Sequence, residues 1–233
     1  MDGAMRGAYP PEDCIKSRGI LFPKDGKVMR GRIRGMLRDG HYEAKETEAV
    51  LKIVTPEDTV LELGAGIGYM SALVARNRNV RAVHAFEANP DLVPYIESVY
   101  RANGLDNATV THAILGPRKG QADFHVRKNL LTSSMEEIAG TKVLSVETVP
   151  VLSADTVMKQ VQPTVLICDI EGAEARLIPA MDLSGLRAVI IELHPQFIRQ
   201  DGVQAVFEAM STAGLTYFPK LSQGKVVTFR KGW

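Results

Sequence analysis

Val60-Leu61-Glu62-Leu63-Gly64-Ala65-Gly66-Ile67-Gly68-Tyr69 is the stretch that decides the fold. An apolar run is closed by three glycines at alternate positions and followed by Met70, Ser71, Leu73 and Val74 at helical spacing, which spells strand, tight turn, helix. Glycine suits such a turn for two reasons: the backbone often needs positive φ, and a missing Cβ lets a ligand lie against the main chain. The unpaired N–H groups at the start of the helix are then free to hold a negative group.

The turn departs from the dinucleotide fingerprint, in which the last small residue comes one place later. Here Gly68 arrives early, Tyr69 fills the small-residue position, and Glu62 is foreign to that pattern. E-x-G-x-G in this setting resembles the first motif of class I S-adenosylmethionine-dependent methyltransferases. The next expected strand, residues 80–86, ends in Glu87. A carboxylate at that strand tip accepts both ribose hydroxyls of an adenosine-containing ligand.

Outward from this core, residues 43–54 carry a helical spacing that stops at Thr55-Pro56, and Asn89-Pro90 opens a helix that Gly104 ends. Strands are expected at 108–113, 121–126, 146–152, 165–168 and 188–193, with helices at 154–161 and 202–213. Two short strands around Ser222-Gln223-Gly224 close the chain as an antiparallel hairpin. The rhythm of strand and helix means an α/β, doubly wound, mostly parallel sheet, here of seven strands with that hairpin at its edge. Residues 1–42 differ in texture and read as an N-terminal extension to a domain at 43–233, a lid or dimer contact in role. In the extension, Asp25-Gly26 favours a hairpin turn, and Arg30, Arg32 and Arg34 would share one face of its second strand. That face reads first as a solvated basic edge and second as an anion-binding surface.

The chain has 233 residues, 28 Lys+Arg and 27 Asp+Glu, so a net charge of +1 gives no global field to recruit nucleic acid or membrane. Cys14 and Cys168 provide neither a disulfide framework nor zinc spacing, and Cys168 in an apolar strand reads as a core residue. No leader pattern or long apolar run is present, so the expected compartment is the cytoplasm.

Several motifs together resemble the FkbM-type methyltransferases: Gly64 to Tyr69, Phe86-Glu87-Ala88-Asn89-Pro90, Ala102-Asn103-Gly104-Leu105, Ala113-Ile114-Leu115-Gly116, Asp169-Ile170-Glu171-Gly172-Ala173-Glu174 and Ile191-Glu192-Leu193-His194-Pro195. The resemblance implies methyl transfer from S-adenosylmethionine to a hydroxyl of a sugar or secondary metabolite. Two positions depart from it: Gly66 stands where asparagine is common, and Ile167 where a lysine commonly precedes the aspartate.

Because ligands sit beyond the carboxyl ends of the strands at a switch point, the expected cofactor site is Glu62, Gly64, Gly66, Gly68, Glu87, Ala88, Ala113 and Asp169. The glycine turn and Asp169 would meet the methionyl part, Glu87 the ribose and the backbone near Ala113 the adenine. His194 is the expected general base, with Glu171 orienting it or the acceptor. An alternative makes Asp169, Glu171 and His194 ligands of a hard divalent ion, although no metal is assigned from sequence. Asn129, Ser133 and Ser134 lie in a polar loop, and Tyr42 and Glu46 would close the pocket from above. The expected partner is a small hydroxylated acceptor, with a homodimer compatible and neither membrane nor nucleic acid expected. Competing readings are an RNA methyltransferase, a non-catalytic S-adenosylmethionine-binding module and, last, an NAD-linked oxidoreductase.

Overall fold

The structure is a computed structural model and describes residues 9–127 and 143–233. In chain order the elements are β1 (Cys14–Ser17), β2 (Ile20–Pro23), α1 (Gly31–Arg38), α2 (Ala44–Ile53), β3 (Thr59–Leu63), α3 (Tyr69–Leu73), β4 (Ala82–Glu87) and α4 (Val93–Asn103). They continue as β5 (Ala108–His112), β6 (Ile114–Gly116), β7 (Gly120–Arg127), β8 (Val143–Ser153), α5 (Ala154–Val161), β9 (Val165–Cys168), α6 (Glu174–Leu177), β10 (Ala188–Glu192), α7 (Pro195–Thr212), β11 (Thr216–Tyr217) and β12 (Val226–Arg230).

The main sheet has seven strands in the order β11-β12-β10-β9-β3-β4-β5. β10, β9, β3, β4 and β5 are parallel, and β12 runs antiparallel to both β10 and β11. Every residue of β3 and β9 is buried, as strands covered by helices on both faces must be. The chain builds outward from β3 to β4 and β5, then returns to β9 on the other side, so the order reverses between β3 and β9. A crevice opens where the connections diverge. β6, β8 and β7 form a separate three-stranded sheet, whose Phe124, Val126 and Val149 make a small core with Ala88 and Ile114 packed on it.

Two buried clusters hold the layers, one on each side of the sheet. The first includes Ile20, Phe22 and Leu37, so the N-terminal segment is part of the main core. Asn103 clamps it from α4: its Nδ2 donates to Leu21 O at 2.7 Å and its Oδ1 accepts from Leu21 N–H at 2.9 Å. Tyr95 Oη donates to Pro23 O at 3.0 Å. Among the described residues, no helix is long and apolar enough to cross a membrane.

Three expectations need correction. The hairpin turns at Arg18-Gly19, both with positive φ, as a two-residue turn requires. Asp25 instead accepts the N–H groups of Lys27 and Val28 on Oδ1 at 2.6 and 2.9 Å, starting a turn that leads into α1. Arg30 therefore precedes a helix, and Arg32 and Arg34 stand on it; all three are exposed, but not as one strand face. α4 begins at Val93 rather than at Asn89, because Asn89 closes a preceding turn on Asp91 and Leu92. α7 begins at Pro195, with a kink at Arg199, and Gly202 lies inside it where a Cβ would meet Ile198 and Ala175.

Candidate active site

At the switch point a cavity of about 870 Å³, counting its open mouth, lies beyond the carboxyl ends of β3, β4 and β9. Phe86, Leu92, Ile114, Leu115, Phe124 and Leu177 give it apolar walls. Its polar lining comes from Gly64 and Gly66, Glu87, Tyr42 and Glu43, Asp169 and Glu171. Apolar walls with a few convergent polar groups are the character of a small-molecule site.

The glycine turn is built by close approach. Gly64 has φ +83, and a Cβ there would sit 1.8 Å from the backbone oxygen of Asp169, so the turn after β3 and the segment after β9 pack main chain to main chain. Gly64 and Ala65 also donate to Phe86 O at 3.0 and 3.2 Å. Gly66, at φ +56, faces the cavity. Gly68 does not line it: it precedes α3, and a Cβ would press on Ile96. Glu62 runs beneath the turn, where Oε1 accepts Ser71 N–H at 3.2 Å. It lines a smaller neighbouring cavity together with Glu43, Glu46, Asp169 and Glu192. Burial pushes its carboxyl up to about 8.

Glu87 is buried at the tip of β4. Oε2 accepts Gly66 N–H at 2.8 Å and Oε1 accepts Asn89 N–H at 2.8 Å. Burial outweighs these bonds and pushes the carboxyl up to about 7. Ala88 and Ala113 also line the cavity, and His112 Nε2 lies 3.0 Å from Ala88 O.

Behind the wall that Asp169 and Glu171 give the cavity, acids crowd around one imidazole, and His194, the expected base, does not itself line the cavity. His194 is only 4% exposed; Nδ1 lies 2.7 Å from Glu174 Oε1, and Nε2 lies 3.4 Å from Glu171 Oε2, 3.7 Å from Asp169 Oδ1 and 4.0 Å from Glu192 Oε1. Burial alone disfavours the imidazolium, but the hydrogen bond and charge of Glu174, with the charges of Asp169 and Glu171, hold His194 above the usual imidazole range. Asp169 is pushed up to about 8, first by burial and then by Glu192, and Glu171 is raised for the same kinds of reason. Glu171 also stands at φ +49, in the left-handed region. Such a conformation costs a non-glycine residue about 1–2 kcal/mol.

The carboxylate that orients His194 is thus Glu174, wholly buried at the start of α6, while Glu171 faces the other ring nitrogen. Glu174 belongs to the D-x-E-G-x-E pattern, the one sequence signal that could have found it. Glu43, also missed, lines both cavities from a left-handed position before α2 and is pushed well above the usual carboxylate range by burial and by Glu46. Tyr42 lines the main cavity, while Glu46 lines only the smaller one. Burial holds the Cys168 thiol well above its ordinary value, as suits a core residue. Asn129, Ser133 and Ser134 lie outside the described residues.

Comparison with known proteins gives three relevant likenesses and one family match. The model of the TRM5/TYW2 methyltransferase domain matches residues 40–126. A protein-L-isoaspartate O-methyltransferase of Jannaschia sp. (strain CCS1) is 32% identical over 179 residues, covering 64% of this chain and 78% of that protein. A tRNA wybutosine-synthesizing protein 2 homolog of Danio rerio is 36% identical over 81 residues, covering 34% of this chain and 20% of that one. The solved structure of P. horikoshii TYW2 in complex with MeSAdo shares the fold, with a TM-score of 0.51 at 13% identity, covering 92% of this chain and 67% of that one.

Proposed function

Because the chain belongs to the class I S-adenosylmethionine-dependent methyltransferases, the family of its Jannaschia relative, we propose that it methylates a hydroxyl of a small acceptor without negative charge, a sugar or secondary metabolite. The observation that carries this reading is the charge of the cavity. Among the described residues lining it, the charged groups are Glu43, Glu87, Asp169 and Glu171, and there is no lysine or arginine. An acceptor carboxylate or phosphate entering this lining would find no cationic side chain to pair with in a low-dielectric site. A neutral hydroxyl meets acceptors for its proton.

The residues fit the methyl donor. Gly66, at positive φ, presents bare backbone to the cavity, and buried Glu87 would offer carboxylate oxygens to ribose hydroxyls. The N–H groups of the glycine turn and Asp169 would hold the methionyl end, and the backbone near Ala113 the adenine. S-adenosylmethionine supplies a methyl group on a sulfonium centre, which is displaced in line. The chain's part is to align the acceptor, exclude water with Phe86, Leu92 and Phe124, and take the acceptor's proton at Asp169 or Glu171, which line the cavity with His194 buried behind them. Glu174 fixes the imidazole, so Nε2 faces those two carboxylates.

The test is methyl transfer by the full chain to a panel of neutral hydroxylated acceptors, read by mass spectrometry beside an isoaspartyl peptide and tRNA. Faster transfer to the peptide carboxylate or to a tRNA base would end the hydroxyl reading. A nucleic-acid acceptor is the second reading. Exposed Arg32, Arg34 and Arg38 on α1, just before cavity residues Tyr42 and Glu43, favour it, as does the TRM5/TYW2 match. RNA affinity that falls steeply with salt would support it.

A further inference from the structure

We propose that Asp169, Glu171 and His194 bind a divalent ion of the Mn2+ or Zn2+ type at the cavity wall formed by Asp169 and Glu171. The argument begins at Glu174, which is fully buried and whose Oε1 accepts Gly172 N–H at 3.1 Å and lies 2.7 Å from His194 Nδ1. A carboxylate so placed receives the Nδ1 proton, which leaves the lone pair of the neutral ring on Nε2. That nitrogen faces Glu171 Oε2 at 3.4 Å and Asp169 Oδ1 at 3.7 Å, with Glu192 Oε1 at 4.0 Å. Every one of these atoms is an acceptor. Acceptors converge on one point only around something positive, and among the described residues the one cationic side chain within 4 Å of Asp169 or Glu171 is the imidazole itself.

Two further observations separate this arrangement from an ordinary patch of surface acids. Although the Asp169 side chain is 40% exposed, its Oδ1 is closed off from solvent, has no hydrogen-bond partner and lies 3.7 Å from Nε2. The spacing is also that of ligands around one ion. Metal–ligand bonds of about 2.0–2.2 Å in a tetrahedral site put neighbouring donor atoms roughly 3.3–3.6 Å apart; Nε2 lies 3.4 Å from Glu171 Oε2 and 3.7 Å from Asp169 Oδ1, and all three donor atoms lie within 4.8 Å of one another. A histidine ligand whose second nitrogen is held by a carboxylate is the usual outer support of such a site. The imidazole and two carboxylates suit Zn2+ or Mn2+ better than Mg2+, which prefers oxygen alone.

Asp169 and Glu171 also line the cavity, so an ion held by these residues would be placed to acidify an acceptor hydroxyl. Asp169 has a second oxygen, Oδ2, for the methionyl ammonium. The catalytic use of the ion rests on the methyl-transfer reading; its binding does not.

The full chain, treated with chelator and then freed of it, is titrated with Mn2+ alone, followed by electron paramagnetic resonance, and with Zn2+ alone in a calorimeter. We expect one equivalent bound, and affinity weakened about 10–100-fold in Glu174→Gln. Because Glu174 is buried and its variant is liable to fold poorly, Glu171→Gln is the companion; its side chain is 31% exposed, and it should weaken binding at least as much. Binding no tighter than millimolar in the unaltered chain would overturn the proposal and leave a proton as the cation between these groups. Equal affinity in Glu171→Gln would overturn it by putting the ion elsewhere. S-adenosylhomocysteine binding to the chelator-treated protein reports separately on the methyl-transfer reading.

Discussion

Glu87 Oε2 accepts the Gly66 N–H at 2.8 Å, so the acid at the tip of β4 is fastened to the glycine turn that follows β3. The two features on which cofactor recognition would depend are one hydrogen-bonded unit. Its carboxyl, pushed up to about 7, titrates in the physiological range. The ionised form is the one that accepts ribose hydroxyls, so affinity for S-adenosylhomocysteine should rise as pH increases from 6 to 8. Glu87→Gln should lose that dependence, and Glu87→Ala should bind about tenfold more weakly or worse; a flat calorimetric pH profile in the unaltered protein would sink the idea. The folding linkage runs the opposite way. A folded pKa above the ordinary value contributes stability that is full below pH 4.5 and is lost as pH rises through about 7.

Gly64 and Gly104 both have positive φ, yet they are not equivalent. A Cβ on Gly64 would lie 1.8 Å from Asp169 O, whereas one on Gly104 would meet nothing within 4 Å. Gly104→Ala should therefore cost only the conformational strain, about 1 kcal/mol. Gly64→Ala must also push apart two strand ends, and should cost about 3 kcal/mol or more, with cofactor binding lost. Comparable denaturant midpoints for the two variants would contradict this.

Asp58 fastens the opposite end of the sheet. It accepts from Arg187 Nε at 2.7 Å and, with its other oxygen, from Arg187 Nη2; Thr164 Oγ1 donates at 2.7 Å and Thr55 N–H at 2.7 Å. Asp58→Ala should destabilise by about 2–4 kcal/mol, at the low end for a buried ion pair because Arg187 is partly exposed. Thermal melting should fall by roughly 5–15 °C while activity per folded molecule stays constant. Burial resists ionisation of Asp58, but these hydrogen bonds outweigh it and hold its carboxyl below the usual 3.8. Its stabilisation is present above that pH and lost as pH falls through the lower folded value.

Glu171 combines a left-handed backbone with a carboxylate that faces His194 Nε2 and feels the charges of Glu192 and Glu174. Glu171→Gly should remove both the strain and the repulsion, raising stability by about 1 kcal/mol after the entropy cost of glycine. Activity should fall sharply. A destabilised variant in chemical denaturation would refute the strain argument.

Much of the fold was legible because it rests on local rules. Residues 165–168 and 188–191 are apolar without interruption, as buried parallel strands are, and Ala154–Val161 reads as a helix and forms one. Local rules misled where two signals competed. Asp25-Gly26 looks like a hairpin turn, but Asp25 uses its side chain on the following N–H groups, and the hairpin goes to Arg18-Gly19, a pair with no strong signal. Within the cavity, Gly64, Gly66, Glu87, Ala88, Ala113, Asp169 and Glu171 were legible as strand-tip residues, while Glu43 was not, because nothing local marks a glutamate for the left-handed region.

By itself the sequence determined the layered architecture and which strand ends meet at the crevice, because strand periodicity, glycine turns and helix stops are encoded within a few residues. Only the tertiary structure decided which carboxylate holds His194. Glu171 and Glu174 are three residues apart and chemically alike, and the left-handed turn at Glu171 followed by the start of α6 sends one to Nε2 and buries the other at Nδ1. That choice follows from how the segment after β9 packs against the end of β10, a contact between parts of the chain that no local pattern records.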